Sequence, residues 1–186
     1  MGCKMSKIWV TSDLHFCHDR EFIYGPRGFK SVREMNETIL ENFNKIVKWD
    51  DELYILGDCF LNNDVEGMKL MKRLPGEKFV IYGNHDSITR QNMICGAGWE
   101  IGYAYVIKHK GYSLYLSHYP TITSNYDVDK PLKRRVINLC GHTHTQDKFS
   151  DMDKGLIYHV ELDAHNNCPV LLDDAIEDIK SYLHTT

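Results

Sequence analysis

Five short polar stretches each follow an apolar segment of the chain, and most of them begin with glycine. Their side chains are carboxylates, imidazoles and an amide, which are the types that bind metal ions. The five stretches are Asp13-x-His15, Gly57-Asp58, Gly83-Asn84-His85-Asp86, His118 and Gly141-His142-x-His144. Short apolar segments bounded by turn residues are typical of buried β-strands. Polar groups at the ends of such strands need partners, so any fold of this chain has to bring them together or pair each of them.

The stretch Gly83-Asn84-His85-Asp86 illustrates the reasoning. It ends the apolar run Lys78–Tyr82, and its glycine permits a sharp turn and a close approach of backbone to a ligand. An amide, an imidazole and a carboxylate in succession favour a cation as their common partner. Taken alone, these four residues are weak evidence for a metal, because a turn with an asparagine and a capping aspartate is common.

A first strand over Lys7–Thr11 delivers Asp13 and His15 at its carboxyl end. In largely parallel sheets, ligands collect at that end of the strands. Residues two apart in an extended chain share a face, so we expect Asp13 and His15 to point at one ion. Carboxylate oxygen with imidazole nitrogen suits first-row transition metals.

Turn residues and hydrophobic spacing predict the remaining elements of the first half. A loop is expected over 19–30, followed by a helix that Ser31 and Glu34 open as a capping box. The inward face of this helix is predicted to contain Met35, Ile39, Phe43, Ile46 and Val47. Next come a strand over Glu52–Leu56, a helix from Asn63 to Arg73, the strand 78–82 and a short helix within 87–98.

The second half is predicted to be mostly strand. Residues 99–107 and 112–117 are expected to form one antiparallel pair around the turn 109–111. Further strands are predicted over 135–140, 157–162 and 169–172, and a last helix over 173–183. Alternating strands and helices followed by strands indicate two packed sheets flanked by helices. The 186 residues fit a single domain spanning 1–186.

Composition limits the class of protein. The net charge of −4 gives no overall basic field toward nucleic acid or membrane, although nucleic acid stays open as a substrate. No signal-like or membrane-spanning run is present in the sequence, so we expect a cytoplasmic protein that does not bind membranes. The six cysteines, at positions 3, 17, 59, 95, 140 and 168, include no C-x-x-C pair and are expected to be free thiols. Zinc–thiolate ligation is the rival interpretation.

The order D-x-H, G-D, G-N-H-D, H and G-H-x-H resembles the calcineurin-like metallophosphoesterase superfamily, over most of the chain from Asp13 to His144. His18 after D-x-H-F, together with the Met-Asn-Glu-Thr helix, is similar to a group of compact bacterial or phage phosphoesterases. The resemblance implies an α/β fold, an αββα sandwich of two mixed sheets flanked by helices, with a two-metal site at one edge.

The resemblance also implies roles for individual residues. Asp13, His15 and His144 would hold one ion; Asn84, His118 and His142 would hold the second; and Asp58 would bridge both. His85 would act near the leaving-group oxygen, and Asn84 would lie at the substrate as well as at the metal. Many members carry a second polar residue in G-D-x-x-D/N that supports the catalytic histidine. This chain has Leu61 there, so we expect either that Asn62, Asn63 or Asp64 replaces it or that His85 is oriented differently.

We expect a phosphomonoesterase or phosphodiesterase in which a metal-bridging hydroxide attacks phosphorus. Two divalent cofactor ions are expected, with Mn²⁺ first and Fe, Zn²⁺ or Ni²⁺ as alternatives. The substrate is expected to be a small phosphorylated molecule, with a nucleotide as one candidate, and the oligomeric state stays open. Arg27 and His18 are predicted to bind substrate phosphate, and Tyr24, Tyr119 or Tyr126 could stack on a base. A non-catalytic protein-binding scaffold of the same fold and an unrelated zinc module are the alternatives.

Overall fold

A computed structural model describes residues 6–123, 129–152 and 154–185 of the chain. Cys3 and Tyr126 lie outside these residues. The described residues form two five-stranded mixed sheets and five α-helices. The strands are β1 (Ile8–Thr11), β2 (Glu52–Leu56), β3 (Glu77–Ile81), β4 (Glu100–Gly102), β5 (Ala104–His109), β6 (Tyr112–Ser117), β7 (Val136–Cys140), β8 (Phe149–Ser150), β9 (Ile157–His159) and β10 (Val170–Leu171). The helices are α1 (Glu21–Tyr24), α2 (Val32–Ile46), α3 (Asp64–Arg73), α4 (Ile88–Gly96) and α5 (Leu172–Thr185).

The strand order explains how distant motifs meet. The first sheet runs β10-β1-β2-β3-β4 and the second β5-β6-β7-β9-β8. Within the first sheet, β1 to β4 are parallel; within the second, β6, β7 and β9 are parallel. The predicted αββα class, two mixed sheets flanked by helices, is confirmed.

Two hydrophobic clusters fix this arrangement. Helices α2 and α3 bury Met35, Phe43 and Met71 against one face of the first sheet. The other face, which includes Leu56 and Ile81, packs with residues of the second sheet and of α5. Removal of this apolar surface from water, worth roughly 25 cal/mol per Å², holds the two sheets face to face.

The predicted helix starts are confirmed in their atomic detail. Ser31 caps α2 by accepting a hydrogen bond from the Glu34 backbone N–H, and Asn63 caps α3 by accepting one from the Glu66 N–H. The predicted inward face of α2 is wrong at one position, because Ile46 is exposed at the end of the helix while Val47 beyond it is buried. The predicted loop over 19–30 contains the short helix α1.

The segment 99–107 differs most from its prediction. It is not one strand but two: β4 pairs parallel with β3 in the first sheet, and β5 pairs antiparallel with β6 in the second. Gly102, with φ of 99°, and Tyr103 make the change of direction. Glycine tolerates this left-handed backbone conformation, which lets consecutive strands belong to different sheets.

Candidate metal centre

The five polar stretches converge at one edge of the two sheets. Strands β1, β2 and β3 run parallel, so their carboxyl ends present Asp13, Asp58 and Asn84 side by side. In the second sheet β6 and β7 also run parallel, and their ends present His118 and the stretch that begins at Gly141. The backbone N–H of Asp13 donates to the Gly57 carbonyl at 3.1 Å, which ties the first two stretches together.

Several of these residues have a left-handed backbone conformation, which costs free energy for any residue except glycine. They are Asp13, His15, Asp58, His142 and His144, with φ values of 56°, 49°, 52°, 77° and 51°. The prediction that Asp13 and His15 share one face of an extended chain is therefore wrong. Each side chain points inward because the backbone turns at both positions. Non-glycine residues in this region are common at functional sites.

Close packing of backbone against carboxylates explains two of the glycines. A Cβ atom on Gly83 would collide with the Asp58 carboxylate, and one on Gly141 would collide with Ser12 and the Asp13 carboxylate. Both positions thus accept only glycine without movement of a predicted ligand. The geometry of the centre, and not only the formation of a turn, therefore requires glycine at positions 83 and 141.

Asp13, His15 and His144 form a first group of ligand atoms, which we call the inner group. Asp13 Oδ1 lies 3.7 Å from both His15 Nε2 and His144 Nε2. Asp13 and His15 are 0% and 1% exposed, and both Asp13 Oδ1 and His15 Nε2 are buried without a hydrogen-bond partner. Such atoms cost free energy unless something pairs with them.

Asn84, His118 and His142 form a second group, which we call the outer group. Asn84 Oδ1 lies 2.8 Å from His118 Nε2 and 2.9 Å from His142 Nδ1. Asn84 is exposed and His142 is half-buried, whereas His118 is buried. Asp58 lies between the groups, with Oδ2 at 3.6 Å from His15 Nε2 and 3.7 Å from His118 Nε2.

These positions fit divalent cations. Nitrogen and oxygen ligands lie about 2.1 Å from such an ion, which puts neighbouring ligand atoms roughly 3–3.5 Å apart, close to the spacings found in the inner group. Two sets of ligand atoms, Asp13/His15/His144 and Asp13/Asp58/His118, come within 4.8 Å of one another. The orphaned Asp13 and His15 atoms both face this space. The donor set, carboxylate with imidazole and amide, suits first-row metals.

Burial and mutual repulsion shift the acid–base properties of the centre. Burial lowers the pKa of His15 to about 4, so its imidazole is neutral at neutral pH and offers a lone pair. Burial raises the pKa of Asp58, and the nearby Asp13 carboxylate raises it further. Burial also acts to raise the pKa of Asp13, but the adjacent His15 ring and the charges of His118 and His144 outweigh it and lower that pKa. A cation would relieve the repulsion between the two carboxylates.

His85 and His18 lie beside the centre without belonging to either group. The His85 side chain is 46% exposed, and its Nε2 lies 4.0 Å from Asp58 Oδ2. His18 is buried, and its Nδ1 lies 3.0 Å from His15 Nδ1 with the two rings stacked. His85 thus faces the opening of the site, whereas His18 packs directly on a predicted ligand.

Arg27 is placed differently from its predicted contact with substrate. Its guanidinium is fully buried, pairs with the Asp163 carboxylate at 2.7 Å and donates to the Asp13 carbonyl at 2.8 Å. Asp163 in turn lies 3.1 Å from His144 Nδ1. In this structure the charge of Arg27 is therefore directed at protein groups behind the inner group.

Asp64 is connected to His85 through an arginine. Asp64 Oδ1 accepts from Arg90 Nε at 2.8 Å, and Arg90 Nη1 donates to the His85 carbonyl at 2.7 Å. Leu61 is buried, and Asn63 is occupied as the cap of α3. Of the three residues predicted to replace the missing polar group, Asp64 makes this connection.

Two aspartates support the centre in ways that the sequence did not predict: Asp86 was expected to share a cation with Asn84 and His85, and Asp163 had no predicted role. Asp86 is buried and accepts from the backbone N–H groups of Asp58, Cys59 and Gly83, so it fixes the second and third stretches relative to each other. Its place in the G-N-H-D motif indicated a role in the site, although not this one. Asp163 had no comparable signal, because nothing in the sequence near it marks its contact with Arg27, 136 positions away.

None of the five cysteines that the structure describes takes part in either candidate set. Cys59 and Cys140 are buried, and burial raises the pKa of each thiol well above its usual range. Cys17, Cys59, Cys95, Cys140 and Cys168 are free. Within the part of the chain that the structure describes, no helix has the length and apolarity needed to cross a membrane.

Comparisons with known proteins show what the whole chain is similar to. A family model described as calcineurin-like phosphoesterase matches residues 6–180. An uncharacterised protein of Methanocaldococcus jannaschii is 32% identical over 91% of this chain and 89% of its own length. The gene 66 protein of Mycobacterium phage L5 is 28% identical over 97% of each chain. The crystal structure of a protein of unknown function from Aquifex aeolicus covers 94% of this chain and all of its own, with a TM-score of 0.69 and 25% identity.

Proposed function

The chain belongs to the calcineurin-like phosphoesterase family, and we propose that it hydrolyses phosphate esters with two divalent metal ions. The observation that carries the proposal is the convergence of seven predicted ligand residues, with two buried ligand atoms that lack partners. These atoms, Asp13 Oδ1 and His15 Nε2, face the same space as Asp58 and His144.

We assign one ion to the inner group and the other to the outer group. Asp58 is the proposed bridge, because its Oδ2 lies at nearly equal distances from His15 and His118. Bound there, the ions would supply Lewis acidity toward phosphate oxygens and lower the pKa of water to about 7. Mn²⁺ is our first expectation for the metal, with Fe, Zn²⁺ or Ni²⁺ as alternatives.

The charges of the ligands favour an anionic substrate. Asp13 and Asp58 are the only carboxylates among the proposed ligands, and the histidines and Asn84 are neutral donors. Two divalent cations would leave the centre with a formal excess of about two positive charges. This excess suits a phosphate monoester or diester. Asn84, exposed at the opening, is the proposed ligand that also contacts the substrate.

His85 is the proposed general acid or transition-state donor. Its backbone N–H donates to Asp58 Oδ1 at 2.8 Å, so the loop that carries it is fixed to the proposed bridge. Its exposed imidazole faces the opening, where it can hold a proton near the leaving-group oxygen. Asp64 and Arg90 hold the His85 carbonyl from behind, which is the support that Leu61 cannot give.

The walls of the opening favour a leaving group with a flat ring. Tyr119 is 50% exposed and packs edge-on against His142, with ring centroids 4.7 Å apart. Phe22 is 70% exposed and packs edge-on against His18 at 5.9 Å. Exposed aromatic faces stack on bases at about 1–3 kcal/mol each. We therefore propose a nucleotide-like diester as the substrate class. We also propose that His18 contacts the substrate phosphate.

A scaffold of the same fold without catalysis is the alternative. A scaffold has no need of a complete ligand set, and this chain has a suitable side chain at each of the seven proposed positions. A closed zinc–thiolate site would need cysteine ligands, and none belongs to either candidate set among the described residues.

The test is hydrolysis of p-nitrophenyl phosphate and bis(p-nitrophenyl) phosphate by protein freed of metal and reloaded with Mn²⁺. We expect turnover that requires the metal and is nearly abolished in Asp58→Asn. Turnover that survives chelation would contradict the proposed hydrolase. So would a lack of turnover with Mn²⁺, Fe, Zn²⁺ and Ni²⁺ in a protein that binds two ions. The second of these results would favour the scaffold.

A further inference from the structure

A buried ion pair lies directly behind the inner group. Arg27 and Asp163 are joined by two hydrogen bonds, from Nε to Oδ1 at 3.1 Å and from Nη2 to Oδ2 at 2.7 Å. Their side chains are 0% and 8% exposed. Burying two charges is costly unless the geometry is good and the remaining donors and acceptors are satisfied. The remaining hydrogen bonds of Arg27 and Asp163 therefore indicate the role of the pair.

Both members of the pair extend to residues of the inner group. Arg27 Nη2 donates to the Asp13 carbonyl at 2.8 Å, and Nη1 lies 3.4 Å from the Leu14 carbonyl. Asp13 has a left-handed backbone conformation, which costs free energy, and this contact helps to hold it. On the other side, Asp163 Oδ2 lies 3.1 Å from His144 Nδ1. A carboxylate at Nδ1 fixes the tautomer and ring orientation that leave Nε2 free as a ligand atom.

The outer group is oriented by different means. His118 Nδ1 lies 2.8 Å from the Leu56 carbonyl, which belongs to strand β2 and carries no charge. His142 is held by its backbone N–H, which donates to Asp13 Oδ2 at 2.8 Å. Among the contacts of the described residues, the Arg27–Asp163 pair touches His144, Asp13 and Leu14 but neither His118 nor His142.

We propose that Arg27 and Asp163 are positioning residues that set the metal affinity of the inner group and leave that of the outer group unchanged. The opposite charges of the pair cancel, so it orients His144 without adding net charge to the centre. This inference rests on the proposed function, from which it takes the two ion sites. It assigns Arg27 a position behind a ligand in place of a contact with substrate.

The experiment is calorimetric titration of the metal-free protein with Mn²⁺, in a double-mutant cycle. In a His142→Ala background, which leaves the inner group intact, Asp163→Asn should weaken Mn²⁺ binding by about 10–100-fold. In a His144→Ala background, which removes the contact to Asp163, the same substitution should change the affinity by less than about twofold. The control is Asp173→Asn, which removes a carboxylate paired with His109 and Lys110 away from the centre and should change neither affinity.

Loss of folding must be separated from loss of affinity, because Asp163→Asn leaves the buried Arg27 charge without its partner. The double variant Arg27→Met/Asp163→Asn removes both charges, and circular dichroism verifies its fold. It should show the same selective loss at the inner group. Equal weakening in both backgrounds, or no weakening in either, would overturn the inference while two ions still bind to the unmodified protein. Fewer than two ions in the unmodified protein would contradict the proposed function itself.

Discussion

The inner and outer groups of the centre use similar ligands in different environments. In the inner group Asp13 and His15 are excluded from water and His144 is half-buried, and a buried ion pair reinforces the group. The outer group lies at the opening, where Asn84 is exposed and His142 is half-buried. Buried, doubly supported ligands keep their geometry, whereas ligands on an exposed loop can adjust to a substrate. We therefore expect the ion proposed for the inner group to be held permanently, and the ion proposed for the outer group to exchange and to meet the substrate.

The largest effect is expected where the two groups meet. Asp58→Asn removes the charge of the proposed bridge and should lower kcat/KM by roughly a thousandfold. It should also weaken the binding of both ions, because Asp58 Oδ2 faces both His15 and His118. Activity and Mn²⁺ stoichiometry, measured on the same sample, check this. Weakening of one ion alone would show that the two groups do not share Asp58.

Two substitutions within one motif should separate the groups. His144→Ala and His142→Ala each remove one imidazole, and each should lower activity by roughly a hundredfold. Chelation of the Mn²⁺-loaded protein should release two ions at different rates, the faster from the outer group. We expect His142→Ala to retain only the slow release and His144→Ala only the fast one. The reverse assignment would contradict the comparison.

The ion pair behind the inner group should be visible in the acid stability of the metal-free protein. Burial acts to raise the pKa of Asp163, but hydrogen bonds from His144 and Arg27 outweigh it and lower the pKa from 3.8 to about 2. A carboxylate with a lowered pKa stabilises the fold above its unfolded pKa, and this stability is lost as pH falls from about 3.8 toward 2. The contribution is about 2 kcal/mol.

Urea unfolding of the unmodified protein and Asp163→Asn, with chelator present, measures this contribution. The free energy of unfolding should differ by about 2 kcal/mol at pH 6, and the difference should shrink as pH falls below 4. A difference that stays constant down to pH 2.5 would show that ionisation of Asp163 is not its source.

The smallest effect is expected at the support of His85. Arg90→Ala removes the donor to the His85 carbonyl and should lower kcat by about tenfold, with Mn²⁺ affinity unchanged. Arg73→Ala is the matched control, because Arg73 also pairs with a carboxylate, Glu37, but on an exposed surface. A change in metal affinity in Arg90→Ala would place Arg90 in the support of the outer group.

The sequence predicted the elements that local chemistry decides. Ser31 and Asn63 predict the starts of the helices that they cap, and the apolar runs before Asp58 and Asn84 predict strands. The order of motifs also predicted the family and the fold. In contrast, the split of 99–107 between two sheets depends on one glycine, Gly102, and on packing that only the whole fold supplies.

The sequence motifs predicted which side chains meet at the candidate site, but not the contacts that support them. The predicted ligands come from motifs in which several residue types recur in a fixed order. The partners behind them have no such pattern: Arg27 meets Asp163 across 136 positions, and Arg90 meets Asp64 across 26. Long-range contacts of this kind are set by tertiary packing. For that reason Arg27, predicted from its chemistry to bind phosphate, is found behind the metal centre.

The most direct test of the central claim is anomalous X-ray diffraction from crystals of the Mn²⁺-loaded protein. The account predicts two ions, one among Asp13, His15 and His144 and the other among Asn84, His118 and His142, with Asp58 contacting both. A single ion, or ions located away from these residues, would contradict it.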